Sequence, residues 1–135
     1  MAERKRREAS WSRGDHVLAA GEVAEKGKMA CLDTSSGEVV AGQASTTLIP
    51  LGYFDENLVG DGVKKVAVSY FRERVLHWWD NSSSADEIGD GDVGSDCYIA
   101  SDTAVALTDG GGTRSKAGRI MAVSARYGVL VEMAD

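Results

Sequence analysis

Few side chains in this 135-residue chain are suited to nucleophilic catalysis or to zinc binding: two histidines, His16 and His77, and two cysteines, Cys31 and Cys97. Neither histidine has a cysteine, a second histidine or a carboxylate at the spacing of a zinc site. Both cysteines lie inside short apolar stretches, where burial keeps a thiol protonated. We therefore predict two buried free thiols and no catalytic residue. A cysteine–histidine nucleophile pair and a single disulfide stay open as alternatives, because sequence alone does not place these side chains in space.

A group of acidic residues between positions 86 and 96 could supply oxygen ligands to a hard cation such as calcium. Calcium loops of the EF-hand type need carboxylates at fixed positions that end in a glutamate. That spacing is absent here. The pattern therefore favours a solvated acidic loop, and we predict neither a metal nor a cofactor.

A glycine-rich run at residues 109–116, Asp-Gly-Gly-Gly-Thr-Arg-Ser-Lys, faintly resembles a phosphate-binding loop. Such loops bind phosphate because their backbone amides point inward at the N-terminus of a helix. The residues that follow, 118–123, have the pattern of a strand. We therefore predict a hairpin loop.

Two adjacent tryptophans, Trp78 and Trp79, are the most unusual feature of the sequence. Neighbouring residues of a strand face opposite sides of the sheet, so one tryptophan can be buried while the other is exposed. An exposed tryptophan either covers a weakly protected sheet face or anchors an interface with another protein. Both readings stay open, and both tryptophans are candidate partner-binding residues.

Charge divides the chain into a basic arm and an acidic body. Residues 1–13 carry a net charge of +3, which leaves −9 for residues 14–135, since the whole chain carries −6. An acidic body argues against nucleic acid as its partner. We predict a disordered arm that docks on an acidic partner surface, with Trp11 as its apolar anchor. The candidate partner-binding residues of the arm are Arg4, Lys5, Arg6, Arg7, Trp11 and Arg13.

The remaining residues, 14–135, predict a single all-β domain. Glycine is frequent at 16 residues and proline occurs once, while the apolar runs are short and separated by turn residues. This pattern favours a small sandwich or barrel of short antiparallel strands without a helix longer than two turns. Pro50 suggests an edge strand or an irregular strand start. The predicted strands are 17–20, 23–26, 28–33, 38–41, 48–54, 63–70, 71–79, 97–100, 103–108, 118–124 and 127–133, with a loop at 57–62 and one helical turn within 86–94.

The apolar runs are too short to span a bilayer, and no apolar segment follows the basic start as it would in a secretory signal. We therefore expect a protein that is made in the cytoplasm and neither spans a membrane nor is secreted across one.

The order of several short pieces resembles a family of tailed-phage capsid decoration, or cement, proteins. The front half contributes residues 19–21, 26–33 and 37–42, and the back half shows the closer likeness, with Asp-Val-Gly at 92–94 and Cys-Tyr-Ile at 97–99. The other matching pieces are Asp-Thr-Ala-Val-Ala at 102–106, Thr-Asp-Gly at 108–110, Thr-Arg-Ser at 113–115, Ala-Gly-Arg-Ile at 117–120 and residues 127–133. Residues 71–81, in contrast, depart from the family pattern, because they are bulkier and include both tryptophans.

The resemblance implies a structural protein of the virion, without an active site, on the outer surface of a phage head. Its partners would be the major capsid protein of the same phage and further copies of itself, in a homotrimer or, as the alternative, a dimer. No nucleic acid or membrane is expected as a partner. A different reading is a β-rich tail or adhesin module that binds a cell-surface glycan through an exposed tryptophan. A cytoplasmic enzyme is the third hypothesis.

Overall fold

A computed structural model describes residues 13–71 and 75–133 of the chain. Within these residues the fold is all-β, as the sequence predicts, and its two helices are short 3₁₀ turns, Ser84–Asp86 and Asp90–Asp92. Neither helix is long enough to cross a membrane. The strands are β1 (Arg13–Val17), β2 (Val23–Ala24), β3 (Met29–Asp33), β4 (Val39–Ala41), β5 (Leu48–Phe54), β6 (Leu58–Val59), β7 (Lys65–Tyr70), β8 (Leu76–Trp79), β9 (Asp96–Ile99), β10 (Val105–Ala106), β11 (Lys116–Ser124) and β12 (Gly128–Met133).

The first sheet has the strand order β1-β7-β5-β3-β4, and all its pairs are antiparallel. A single parallel bridge between Leu18 and Val39 brings its two outer strands together, so the sheet curls without closing into a barrel. The concave side holds an apolar cluster that includes Phe54, Val66 and Val68, all fully buried. The alternating valines of β7 thus face one side, as their spacing predicts.

The second sheet has the order β10-β9-β11-β12-β8 and is also antiparallel. Its inner face packs on the convex side of the first sheet and forms the main core, in which Met29 and Cys31 meet Ile99, Ile120 and Val131. This arrangement is a small sandwich. A two-stranded ribbon of β2 and β6 completes the fold.

One local prediction is confirmed and others are wrong. Pro50 lies near the irregular start of β5, beside a register shift in β3 and before the residues that pair with β7, which is one of its two predicted alternatives. The predicted loop 57–62 contains β6. The glycine-rich run joins β10 and β11, which flank β9, so it is a connection rather than a hairpin loop.

Predicted strand 17–20 is wrong, because β1 runs from Arg13 to Val17 and ends there. Three further predicted strands are much shorter than expected, and the first of them, 23–26, reduces to Val23–Ala24. Strand 103–108 reduces to Val105–Ala106, because the Ser101 hydroxyl oxygen accepts the backbone N–H groups of Thr103 and Ala104 and so holds these residues in a turn. Strand 71–79 reduces to Leu76–Trp79 among the described residues.

Candidate interaction surface

The two cysteines are unsuited to catalysis. Cys31 and Cys97 are free and fully buried in the main core. Burial raises the pKa of each thiol to about 12. At neutral pH both therefore remain protonated, and a thiol is a poor nucleophile.

Both histidines are engaged by aromatic neighbours. His16 Nε2 lies 2.6 Å from the Tyr70 hydroxyl, and desolvation lowers the histidine pKa. The ring of His77 stacks on Trp79 with 4.1 Å between centroids, and its Nδ1 donates to the carbonyl oxygen of Trp78 at 2.8 Å. Desolvation lowers the pKa of His77 as well. Both rings are therefore mainly neutral at neutral pH and contribute to packing.

The acidic residues of the 86–96 segment are largely used within the fold. Asp86 accepts a hydrogen bond from Thr108 and pairs with Arg114, while Asp92 accepts the N–H of Gly89 at 2.8 Å. No group of three potential ligands among residues 13–71 and 75–133 could hold a metal ion. Backbone amides of the glycine-rich run are likewise hydrogen-bonded within the run itself, since the N–H groups of Thr113 and Arg114 donate to the Asp109 carbonyl.

The two tryptophans face opposite sides of β8, as the sequence predicts. Trp79 is 4% exposed, and its Nε1–H donates to the Met133 sulfur at 3.1 Å. Trp78 is 39% exposed on the outer side of the second sheet, where its ring contacts Tyr127 with 5.6 Å between centroids. Trp79 is thus a core residue, and only Trp78 remains a candidate for partner binding.

Trp78 belongs to an exposed apolar surface that we call the Trp78 face, formed by Leu76, Trp78, Met121, Tyr127 and Leu130. Leu130 lies on β12, between β8 and β11, and is the register partner of both Trp78 and Ala122. The other four residues are between 39% and 56% exposed. Large aromatic and aliphatic side chains on a rigid sheet are typical of the centre of protein interfaces.

Charged residues of both signs border the Trp78 face. On one side Arg119 of β11 and Glu132 of β12 are register partners. On the other side the guanidinium of Arg126 lies 5.2 Å from the centre of the Tyr127 ring. Asp96 of β9, the register partner of Arg119, pairs with Lys116 at 3.3 Å. The apolar surface therefore has a mixed polar rim, as protein interfaces do.

A second, smaller apolar surface lies on the β2–β6 ribbon. Val23 and Val59 are directly opposite each other and are 50% and 61% exposed. Val63, in the loop after β6, is 77% exposed. These side chains are short and aliphatic, so they offer less contact area than the Trp78 face.

Arg13 is the first residue of β1, although the sequence analysis placed it at the end of the arm. Its Nε donates to Asp55 Oδ2 at 2.8 Å, and the Ser69 hydroxyl donates to the same oxygen at 2.6 Å. This network joins β1 to β5 and β7. The other predicted arm residues, Arg4, Lys5, Arg6, Arg7 and Trp11, lie outside the described residues, and their role stays a prediction.

Sequence reasoning selected Trp78 but missed its companions. Leu76 and Leu130 could have been found from the alternation of β8 and β12, because both are apolar at the positions that face away from the core. Met121 follows the alternation of β11 as well, since Arg119 and Met121 are exposed on either side of the buried Ile120. The register shift between Ile120 and Ala122, which sequence does not indicate, then turns Ala122 to the same side. Tyr127 lies in a turn, where no periodicity applies.

Comparison with known proteins identifies no relative: no family model, no curated protein and no solved structure matches this chain.

Proposed function

We propose that this chain is a structural capsid decoration protein that binds the outside of a phage head and stabilises contacts between major capsid subunits. The observation that carries the proposal is the order of short motifs, which resembles that family, in a chain that also has an apolar aromatic surface, the Trp78 face, through which copies can be joined for multivalent binding. The described cysteines and histidines are used in packing, which is consistent with a binding role.

The physical basis of such a role is multivalency. One modest contact per copy suffices when copies are joined, because the second and third contacts become intramolecular. Joined copies, in a trimer or a dimer, then bind an assembled shell more tightly than free subunits by about a hundredfold or more when the geometry matches. A protein that binds the intact shell stabilises it by mass action.

The test compares assembled shells with free capsid subunits of the same phage. We expect saturating protein to raise the disruption temperature of the shell, and we expect much weaker binding to free subunits. An unchanged disruption temperature at full occupancy would show decoration without stabilisation. Equal affinity for shells and free subunits would remove the argument from multivalency.

The exposed Trp78 and Tyr127 pair also supports the second candidate, a module that binds a cell-surface glycan. Sugars stack on the flat faces of aromatic rings, as other ligands with exposed C–H groups do. Arg126 lies close to the Tyr127 ring, and both Trp78 and Tyr127 offer exposed ring surface on this face. Locating the protein in a particle by electron microscopy separates the two candidates: a position on the head supports decoration, and a position at the tail supports glycan binding.

A further inference from the structure

The Trp78 face differs in charge from the rest of the body. Residues 14–135 carry a net charge of −9, so two copies repel each other over most of their surfaces. The rim of this face, in contrast, holds Arg119, Arg126 and Glu132, and the nearby Asp96 is neutralised by Lys116. A second copy can therefore approach here without the repulsion that it meets elsewhere.

The rim is also complementary to itself. Arg119 and Glu132 are register partners on neighbouring strands, and neither is in an ion pair within 4 Å in the described part of the chain. When two copies share this face, Arg119 of one can lie against Glu132 of the other. A two-fold dimer forms this pair twice.

We propose that the Trp78 face is the surface through which this chain binds a second copy of itself, with Trp78 as the apolar anchor and Arg119 and Glu132 as the charge pair that sets the register. Isologous interfaces require one patch to carry both halves of every contact, which this face does. The inference deepens the proposed function, which needs joined copies, but its test requires no shell.

The first experiment measures the association of the full chain by sedimentation velocity over a concentration series. Trp78→Glu should raise the dissociation constant by about thirtyfold or more, because it removes a central aromatic anchor and buries a charge. Val63→Glu is the matched control, since it adds the same charge at an exposed apolar residue of the loop after β6, and it should leave association unchanged. Circular dichroism of both variants checks that the fold is retained.

The second experiment tests the charge pair. Arg119→Glu alone and Glu132→Arg alone should each weaken association by about tenfold, because each places like charges together. The double variant exchanges the two charges and should restore association to within about threefold of wild type. Only a partner that carries the same two substitutions can produce that rescue, so the result distinguishes a second copy from a different protein.

Three results would overturn the inference: a wild-type chain that stays monomeric throughout the series, unchanged association of Trp78→Glu, or a double variant as weak as its single variants combined. A Trp78→Glu protein that still self-associates but no longer binds shells would show that this face meets the capsid instead. That outcome removes the inference and leaves the proposed function intact. A wild-type chain that self-associates through this face but does not bind shells would remove the proposed function and leave the inference intact.

Discussion

Trp78 and Trp79 are neighbours in sequence, yet one contacts solvent and the other lies in the core. We predict that Trp79→Ala lowers the free energy of unfolding by about 3–5 kcal/mol, because it leaves a large cavity and removes the hydrogen bond to the Met133 sulfur. Trp78→Ala should cost about 1 kcal/mol, since much of its ring is already in water. Urea denaturation of the two variants checks the difference, and equal losses would contradict the assignment of Trp79 to the core and Trp78 to the surface.

The buried thiols predict a specific loss of stability at alkaline pH. Their ordinary pKa is 9.0, and burial raises it to about 12 in the folded chain. The unfolded state therefore releases protons first as the pH rises. Their contribution is fully present below pH 9 and is lost between about pH 9 and pH 12.

Denaturation across this range should accordingly show a steeper decline for wild type than for a Cys31→Ala/Cys97→Ala variant, in which the other titrating groups are unchanged. The native thiols should also react with an alkylating reagent far more slowly than the unfolded chain. Rapid alkylation of the native protein at neutral pH would contradict their burial.

At the scale of secondary-structure elements, the junction of β5 with β7 depends on one glycine. A Cβ added at Gly52 would lie 1.8 Å from the carbonyl oxygen of Ser69 and 2.9 Å from Cα of Tyr70. Backbone cannot move aside as a side-chain tip can, so Gly52→Ala should cost about 1–3 kcal/mol. Gly91→Ala, with no atom within 4 Å of the added Cβ, is the matched control and should stay within about 0.5 kcal/mol of wild type. Thermal unfolding of both measures the contrast.

Strand existence was predictable where apolar alternation and turn residues coincide, as at the β3–β4 turn around Gly37 and the β11–β12 turn before Gly128. Pairing order was not, because it depends on contacts between residues far apart in sequence. The bridge from Leu18 to Val39 and the ribbon that joins Val23 to Val59 are examples. The outward-facing strand residues of the candidate surface, such as Leu76 and Leu130, could be predicted one by one from alternation. Their meeting with Trp78 in one face could not, since they come from three separate segments.

At the scale of the whole molecule, the basic arm and the acidic body imply a salt-dependent attachment. Removing residues 1–12 should leave the fold intact, because the Arg13–Asp55–Ser69 network that begins β1 is retained. Binding to shells should weaken, and it should weaken more at low salt, where attraction between exposed charges is strongest. Shell binding of the truncated and full chains over a salt series measures this. Equal binding at every salt concentration would reduce the arm to a solubility tail.

The antiparallel pairing of β1 with β7 also determines how the molecule bears mechanical load. Five register pairs, from Arg13 with Ser69 to Val17 with Lys65, connect the two strands. Hydrogen bonds of an antiparallel pair run perpendicular to the strands. A force that pulls the N-terminus along the axis of β1 therefore shears all of these bonds together, whereas a force at right angles would peel them one by one. If the arm is anchored to a swelling shell, the direction of pull would decide whether this strand holds or unzips.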